Sequence, residues 1–175
     1  MNLSPSEIEE VTGFTPDILR DWRRRGFLKR IGQIALPDGS VTSDVERARE
    51  AGIARPAWQY ALGDAVLLSL ARSFSDLTID IETQLTIAEF AAPHVVEFAM
   101  KSELVPSLID RRFLAVWRGV DGAIQAMRFN DLNRLVDHSI TRAIVIDMHR
   151  EASHLPEKLI HLLASKFGQV EKDRE

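Results

Sequence analysis

A run of basic side chains between residues 20 and 30 is the part of this chain best suited to binding chemistry. It contains six arginines and lysines and a single acid, Asp21. The basic residues are Arg20, Arg23, Arg24, Arg25, Lys29 and Arg30. Positive charge concentrated at one end of a helix attracts phosphate groups, and the local pattern therefore predicts contact with a polyanion.

The charge of the whole chain limits what kind of contact this can be. Residues 1–60 contain nine basic and nine acidic side chains, whereas residues 61–175 contain thirteen basic and seventeen acidic ones, so the net charge is −4. A protein that coats DNA without regard to sequence is basic overall. We therefore expect a local, oriented contact made by the basic segment.

Two short helices must position these side chains. Ser4, Pro5 and Glu7 form a capping-box pattern that starts a helix near residue 5, and Thr12-Gly13 interrupts it. Thr15, followed by Pro16 and Asp17, repeats the start signal. In the second helix we expect Ile18, Leu19 and Trp22 to face inward, and Gly26 to end the helix.

The second helix carries a family likeness. Its sequence, ILRDWRRRGF from residue 18 to residue 27, resembles the recognition helix of MerR-type winged helix-turn-helix transcription regulators. Leu19, Arg20, Trp22 and Gly26 match the family pattern, as does the apolar pair at 27–28. Asp21 and Arg23 depart from it, because the family has an aromatic residue and an acid there.

A second match follows an insertion. Tyr60-Ala-Leu-Gly-Asp64-Ala-Val-Leu-Leu resembles the point where the family's wing strand enters its third helix. The likeness implies wing strands at 30–36 and 55–60. Between them, the residue types indicate a turn at 37–40 and a helix-like stretch at 43–51, inside an unusually long wing (residues 37–55).

The resemblance implies that the helix at 15–25 enters the major groove and that the wing contacts the backbone. Arg20 becomes the family's DNA-contacting arginine, and Trp22 packs the helix while touching the backbone. The DNA-binding candidates are Thr15, Asp17, Arg20, Trp22, Arg23, Arg24, Arg25, Lys29, Arg30, Arg55 and Tyr60.

The helices that follow do not match the long dimerisation helix of that family. We expect a buried helix at 64–74, a fourth helix from 79 toward Pro93, and a further short helix near 95–104 before Pro106. Proline interrupts a long helix, so no continuous coiled coil is expected.

The last third has the period of strands. Strands at 112–118 and 123–129 flank Asp121-Gly122, a signal for a two-residue hairpin turn with positive φ at both positions, which pairs Val120 with Ala123. This register places Leu114, Val116, Met127 and Phe129 on one face, and Phe113, Ala115, Trp117, Ile124 and Ala126 on the other. A helix at 131–137, a strand at 143–148 and a helix at 156–167 complete the prediction.

The predicted fold is mainly α with a small α+β part. An N-terminal winged helix-turn-helix (residues 1–92) precedes a hairpin, helix, strand and helix (residues 93–175) that serve dimerisation or partner binding. For this second half we favour a protein partner or dimerisation over a small ligand.

Catalytic signals are weak. There is no cysteine, which removes disulfides, thiolate metal sites and thiol redox chemistry. Asp147, His149, Glu151 and His154 could share a strand end as cation ligands, but exposed polar residues at a strand-to-helix crossing explain them better. We expect no enzyme activity, metal or cofactor.

The sequence thus predicts a sequence-specific transcription regulator that binds double-stranded DNA as a homodimer, with a protein partner such as RNA polymerase. Without a signal-peptide pattern or a membrane-spanning apolar run, we expect a cytoplasmic, nucleoid-associated protein. Two alternatives stay open: a phage-type excisionase or small-terminase-like DNA-binding protein, and an interaction module that does not bind DNA.

Overall fold

The computed structural model describes residues 2–77, 79–100, 111–131, 133, 135, 140 and 142–172, with the backbone alone for 167–172. These residues form a mixed α+β fold of seven α-helices and two small antiparallel sheets. Within them, no helix combines the length and the apolar character that crossing a lipid bilayer requires.

The first sheet and its helices come from the N-terminal part. In chain order the elements are β1 (Asn2–Leu3), α1 (Pro5–Thr12), α2 (Pro16–Arg24), β2 (Gln33–Ala35), β3 (Val41–Thr42), α3 (Val45–Glu50), β4 (Trp58–Ala61) and α4 (Leu62–Ser73). The sheet order is β1-β4-β2-β3, with every pair antiparallel. The expected pairing of the strand regions at 30–36 and 55–60 is confirmed as β2 against β4.

Local capping explains why α1 and α2 begin where they do. The Ser4 hydroxyl accepts from the Glu7 N–H, and the Glu7 carboxylate accepts from the Ser4 N–H at 2.7 Å, which completes the capping box. Thr15 caps α2 through its hydroxyl. Gly13, at φ 73°, ends α1 in the left-handed conformation that glycine adopts without strain.

Helix α5 (Ile81–Met100) is longer than expected. The prediction of a helix ending at Pro93 and a separate helix at 95–104 is wrong over the described residues, because α5 continues through Pro93. Buried Ala91 and Ala92 before the proline and Val95 and Phe98 after it anchor both halves in the core, and this packing outweighs the lost backbone hydrogen bond. Residues 101–110, including Pro106, lie outside the described part.

The larger buried cluster of the described residues joins the two parts of the chain. Ile8 of α1, Leu19 of α2, Leu68 of α4 and Ile87 of α5 belong to the same buried cluster as residues of the second sheet. The boundary predicted between residues 92 and 93 falls inside α5, so a single helix joins the two parts; the division into domains itself stays a prediction.

The second sheet has the order β6-β5-β7, from β5 (Phe113–Arg118), β6 (Ile124–Phe129) and β7 (Ile144–Asp147). The hairpin exists as predicted, but its register is wrong by one residue. Gly119 N–H donates to the Ala123 carbonyl at 2.8 Å, so the loop has three residues, 120–122. In this part of the chain Gly122 (φ 80°) has positive φ whereas Asp121 does not, so the strained conformation falls on glycine alone.

This shift moves every β6 side chain to the other face. Leu114 lies opposite Arg128 and Val116 opposite Ala126, so Ile124 and Ala126 share their face with Leu114 and Val116. Ala115 lies opposite Met127, and Phe113 opposite Phe129. The first of these faces contacts the common core.

The chain ends with α6 (Met148–Ser153) and α7 (Glu157–Lys172). The strand predicted at 143–148 is confirmed as β7, except that Met148 starts a helix that sequence reasoning missed. The last helix is confirmed and continues past Gly168, where the sequence suggested an end. Most of the helix predicted at 131–137 lies outside the described residues.

Candidate nucleic-acid interface

The inner face of α2 fixes the helix to the core. Leu19 is 2% exposed, and the Trp22 ring lies 4.7 Å from the Phe14 ring, centroid to centroid. Ile18, expected to face inward, is instead 38% exposed. Two of the three expected inward residues therefore hold the helix.

The outer side of α2 carries a stripe of acids and arginines, formed by Asp17, Arg20, Asp21 and Arg24 of the helix and by its C-cap residue Arg25. Arg20 Nη1 lies 2.7 Å from Asp17 Oδ1; Arg24 and Arg25 contact the two oxygens of Asp21 at 2.6 and 2.7 Å. The side chains of Arg20 and Arg24 are 77% and 80% exposed. This stripe, which we call the α2 stripe, presents three accessible guanidinium groups to solvent.

Arg23 does not belong to the α2 stripe. Its guanidinium donates to the carbonyls of Leu28 at 3.2 Å and Ile31 at 3.0 Å, and it lies 3.3 Å from the centre of the Trp58 ring. Burial lowers the pKa of Arg23 below its ordinary value, while the nearby Tyr60 and Asp64 oppose that shift. Arg23 therefore connects α2 to the turn before β2 and to β4, and it does not lie on the predicted contact surface.

Tyr60 is also placed away from that surface. It is 2% exposed and its hydroxyl lies 3.4 Å from Arg23 Nη2. A side chain with so little accessible area has no surface to offer a phosphate. The family-like tyrosine is here a buried partner of Arg23.

Asp64, which matches the family pattern together with Tyr60, connects the first turn of α4 to β4 and to the turn before β2. Its Oδ2 accepts from the N–H groups of Gly32 at 3.1 Å and Ala61 at 2.9 Å. Burial raises the pKa of Asp64 above its ordinary 3.8, although both hydrogen bonds and Arg23 act to lower it. A Cβ on Gly32 would come within 2.9 Å of the Tyr60 ring, so the tight turn before β2 requires glycine.

The remaining basic candidates are exposed. Lys29 and Arg30 lie in the turn segment between α2 and β2, and Arg30 Nη1 approaches Glu89 Oε1 of α5 at 3.8 Å. Arg55 is exposed in the loop before β4. Thr15 is half-buried and caps α2, so its hydroxyl is already engaged with the Ile18 N–H at 3.4 Å. Lys29, Arg30 and Arg55 are thus accessible to a partner.

The segment inserted between residues 37 and 55 has a structure of its own. Asp44 caps α3, and Ala48 packs with Ile34 and Leu36 in a small separate cluster. Leu36 N–H donates to the Ser40 carbonyl at 2.8 Å and closes the turn between β2 and β3. The helix-like prediction for residues 43–51 is confirmed.

The candidate cation ligands of the last third do not converge. Asp147 caps α6 and forms a two-bond ion pair with Arg112, while the Glu151 carboxylate accepts from Ser73 and the His149 ring packs edge-on against Phe98. Burial alone would raise the pKa of Asp147, but the bonds from Arg112 and from the Arg150 N–H lower it. No three potential ligand side chains come together in the described ranges.

The sequence analysis did not identify Trp58, whose ring stacks against the Arg23 guanidinium. A signal was present, because Trp58 and Tyr60 are two residues apart on a strand and so share a face.

A scan against protein-family models found no match, and a search of curated proteins found none either. The likeness to MerR-type regulators therefore rests on the residues quoted above.

Proposed function

We propose that this chain binds double-stranded DNA sequence-specifically and regulates transcription, with the α2 stripe in the major groove. The observation that carries the proposal is the set of exposed arginines on α2. Two capped helices separated by a three-residue turn and followed by a small antiparallel sheet also fit a winged helix-turn-helix.

The ion pairs of the α2 stripe are compatible with this role. Exposed pairs at helical spacing contribute about 0.3–0.5 kcal/mol each, so a phosphate or a base edge can replace the carboxylate at little cost. Asp17 and Asp21 reduce the net positive charge of the helix. That reduction disfavours indiscriminate binding to phosphate and favours a contact that also reads bases.

The roles follow from position. Arg20, in the middle of α2, is suited to hydrogen-bond a base edge, and Arg24 or Arg25, near its end, to hold phosphate. Lys29, Arg30 and Arg55 add phosphate contacts around the helix. Arg23 and Tyr60 keep α2 at a fixed angle to the sheet.

The experiment is a selection of binding sites from random duplexes, followed by titration of the selected site and of unrelated DNA at several salt concentrations. Arg20→Ala should cost about 1–3 kcal/mol on the selected site and relax its sequence preference. Arg24→Ala should weaken all sequences alike and reduce the salt dependence by about one counterion. Arg150→Ala removes an exposed arginine on α6, outside the proposed DNA contact, and is the matched control; it should keep the sequence preference and the salt dependence of wild type.

If both α2 variants bind the selected site like wild type, α2 is not the reading helix. If no duplex shows salt-dependent binding, the chain is an interaction module without DNA binding. Direct repeats that the protein bends or bridges would identify the excisionase or small-terminase alternative, whereas a two-fold site near a promoter supports regulation.

The proposal includes a homodimer, because one small reading module buries too little surface for nanomolar specificity. Residues 94–170, including the hairpin with Trp117, are the candidate contact surface, and RNA polymerase is the expected protein partner. Such a protein would work in the cytoplasm at the nucleoid. Light scattering that gives a monomer at about tens of micromolar, with and without DNA, contradicts the dimer.

A further inference from the structure

A pocket of about 240 Å³ lies between the N-terminal half of α5 and the second sheet. Its apolar wall is formed by Ile87 of α5, Val116 of β5, Ile124 of β6 and Ile144 of β7. The space therefore suits a compact small molecule and is too small for a folded partner.

The charged side chains that line this pocket are both positive. Arg118 and Arg142 line it, and no aspartate or glutamate does among the described residues. Arg118 uses Nη1 to donate to the Gly122 carbonyl at 2.9 Å, which leaves its other guanidinium N–H groups. Arg142 has no ion pair within the described ranges. Asp80, three residues before the lining residue Thr83, already accepts from the Thr83 N–H and hydroxyl.

We propose that this pocket binds a small organic carboxylate with an apolar body. The hydrocarbon or aromatic part would fill the space between Ile87, Val116 and Ile144, where its burial removes apolar surface from water. The carboxylate would sit at the guanidinium groups, which match it in charge and in hydrogen-bond geometry. Apolar walls with a few polar groups are typical of ligand sites.

Calorimetric titration of the full chain with benzoate and hexanoate tests the proposal, with benzamide and hexanamide as neutral counterparts. At least one carboxylate should bind about tenfold more tightly than its amide, because the guanidinium contacts require charge. Equal affinity of acid and amide, or no heat with any probe at about 10 mM, overturns the proposal.

Two matched variants locate the site. Arg142→Gln, on an exposed side chain, should weaken carboxylate binding about tenfold and leave amide binding unchanged. Arg150→Gln, an exposed arginine outside the pocket, should change neither. Equal loss in both variants would mean general charge attraction and would refute the site. These titrations contain no DNA, so their outcome is independent of the DNA-binding proposal.

Discussion

Arg23 is the residue whose replacement best separates the contacts that hold α2 in place from the exposed surface of that helix. Arg23→Ala removes two hydrogen bonds to the carbonyls of Leu28 and Ile31 and the stacking on Trp58. Arg24→Ala, one residue later, removes only an exposed ion pair with Asp21. The two changes delete the same side chain from adjacent positions of one helix.

The structure sets the expected magnitudes. Two hydrogen bonds contribute about 1 kcal/mol each, and the stacked guanidinium about 1 kcal/mol more. Arg23→Ala should therefore lower the free energy of unfolding by about 3 kcal/mol, or the Tm by about 6–12 °C for a chain of this size. Arg24→Ala should stay within about 0.5 kcal/mol of wild type.

Equilibrium urea unfolding, followed by circular dichroism, measures both variants. The midpoint should fall for Arg23→Ala with an unchanged slope, which marks a change in stability alone. Arg23→Lys should lie between wild type and alanine, because lysine keeps a charged donor but loses the planar group that stacks on Trp58. If Arg23→Ala proves as stable as Arg24→Ala, Arg23 is not a structural brace, and its assignment to the contact surface must be restored.

Two further predictions concern backbone anchors. Because burial raises the folded-state pKa of Asp64, the stability that its protonated form contributes is present below pH 3.8 and is lost as pH rises through the raised value. Asp64→Asn keeps an oxygen that can accept both N–H groups, and its side chain does not titrate. Urea midpoints between about pH 3.5 and 6 should therefore show the variant gaining stability relative to wild type as pH rises. Parallel curves for the two proteins would contradict this reasoning. Gly122→Ala should cost about 1 kcal/mol in thermal unfolding because of its φ of 80°, whereas Gly63→Ala, inside α4 with open space at its Cβ, should be neutral or slightly stabilising. A neutral Gly122→Ala would mean that the loop has another conformation.

Features encoded within a few residues were predictable from the sequence. The capping box of Ser4 and Glu7, the Thr15 cap and the Asp44 cap each involve contacts across two or three residues, and the corresponding helices begin where those signals stand. The hairpin was predictable as an element, but its register was not. Asp-Gly suits both two-residue and three-residue loops, and here the longer loop avoids positive φ at Asp121.

Features that depend on distant contacts were not predictable. Arg23 and Tyr60 are 37 residues apart in the chain, so a basic side chain on a helix could not be recognised as a brace from its neighbours alone. The continuation of α5 through Pro93 likewise depends on burial of residues on both sides. In the candidate interface, the sequence indicated the basic helix, and the structure sorts its arginines into Arg23 inside and Arg20, Arg24 and Arg25 outside.

Helix α5 contacts the arginine-flanked pocket on one side and Arg30 on another. Ile87 lines the arginine-flanked pocket, while Glu89, two residues further and so about 200° around the helix, approaches Arg30 beside the α2 stripe. If a ligand in the pocket displaces α5, it changes the electrostatic surroundings of Arg30, a cation of the proposed DNA contact. Thermodynamic reciprocity then requires DNA to alter the ligand affinity by the same factor, so that each equilibrium reports on the other.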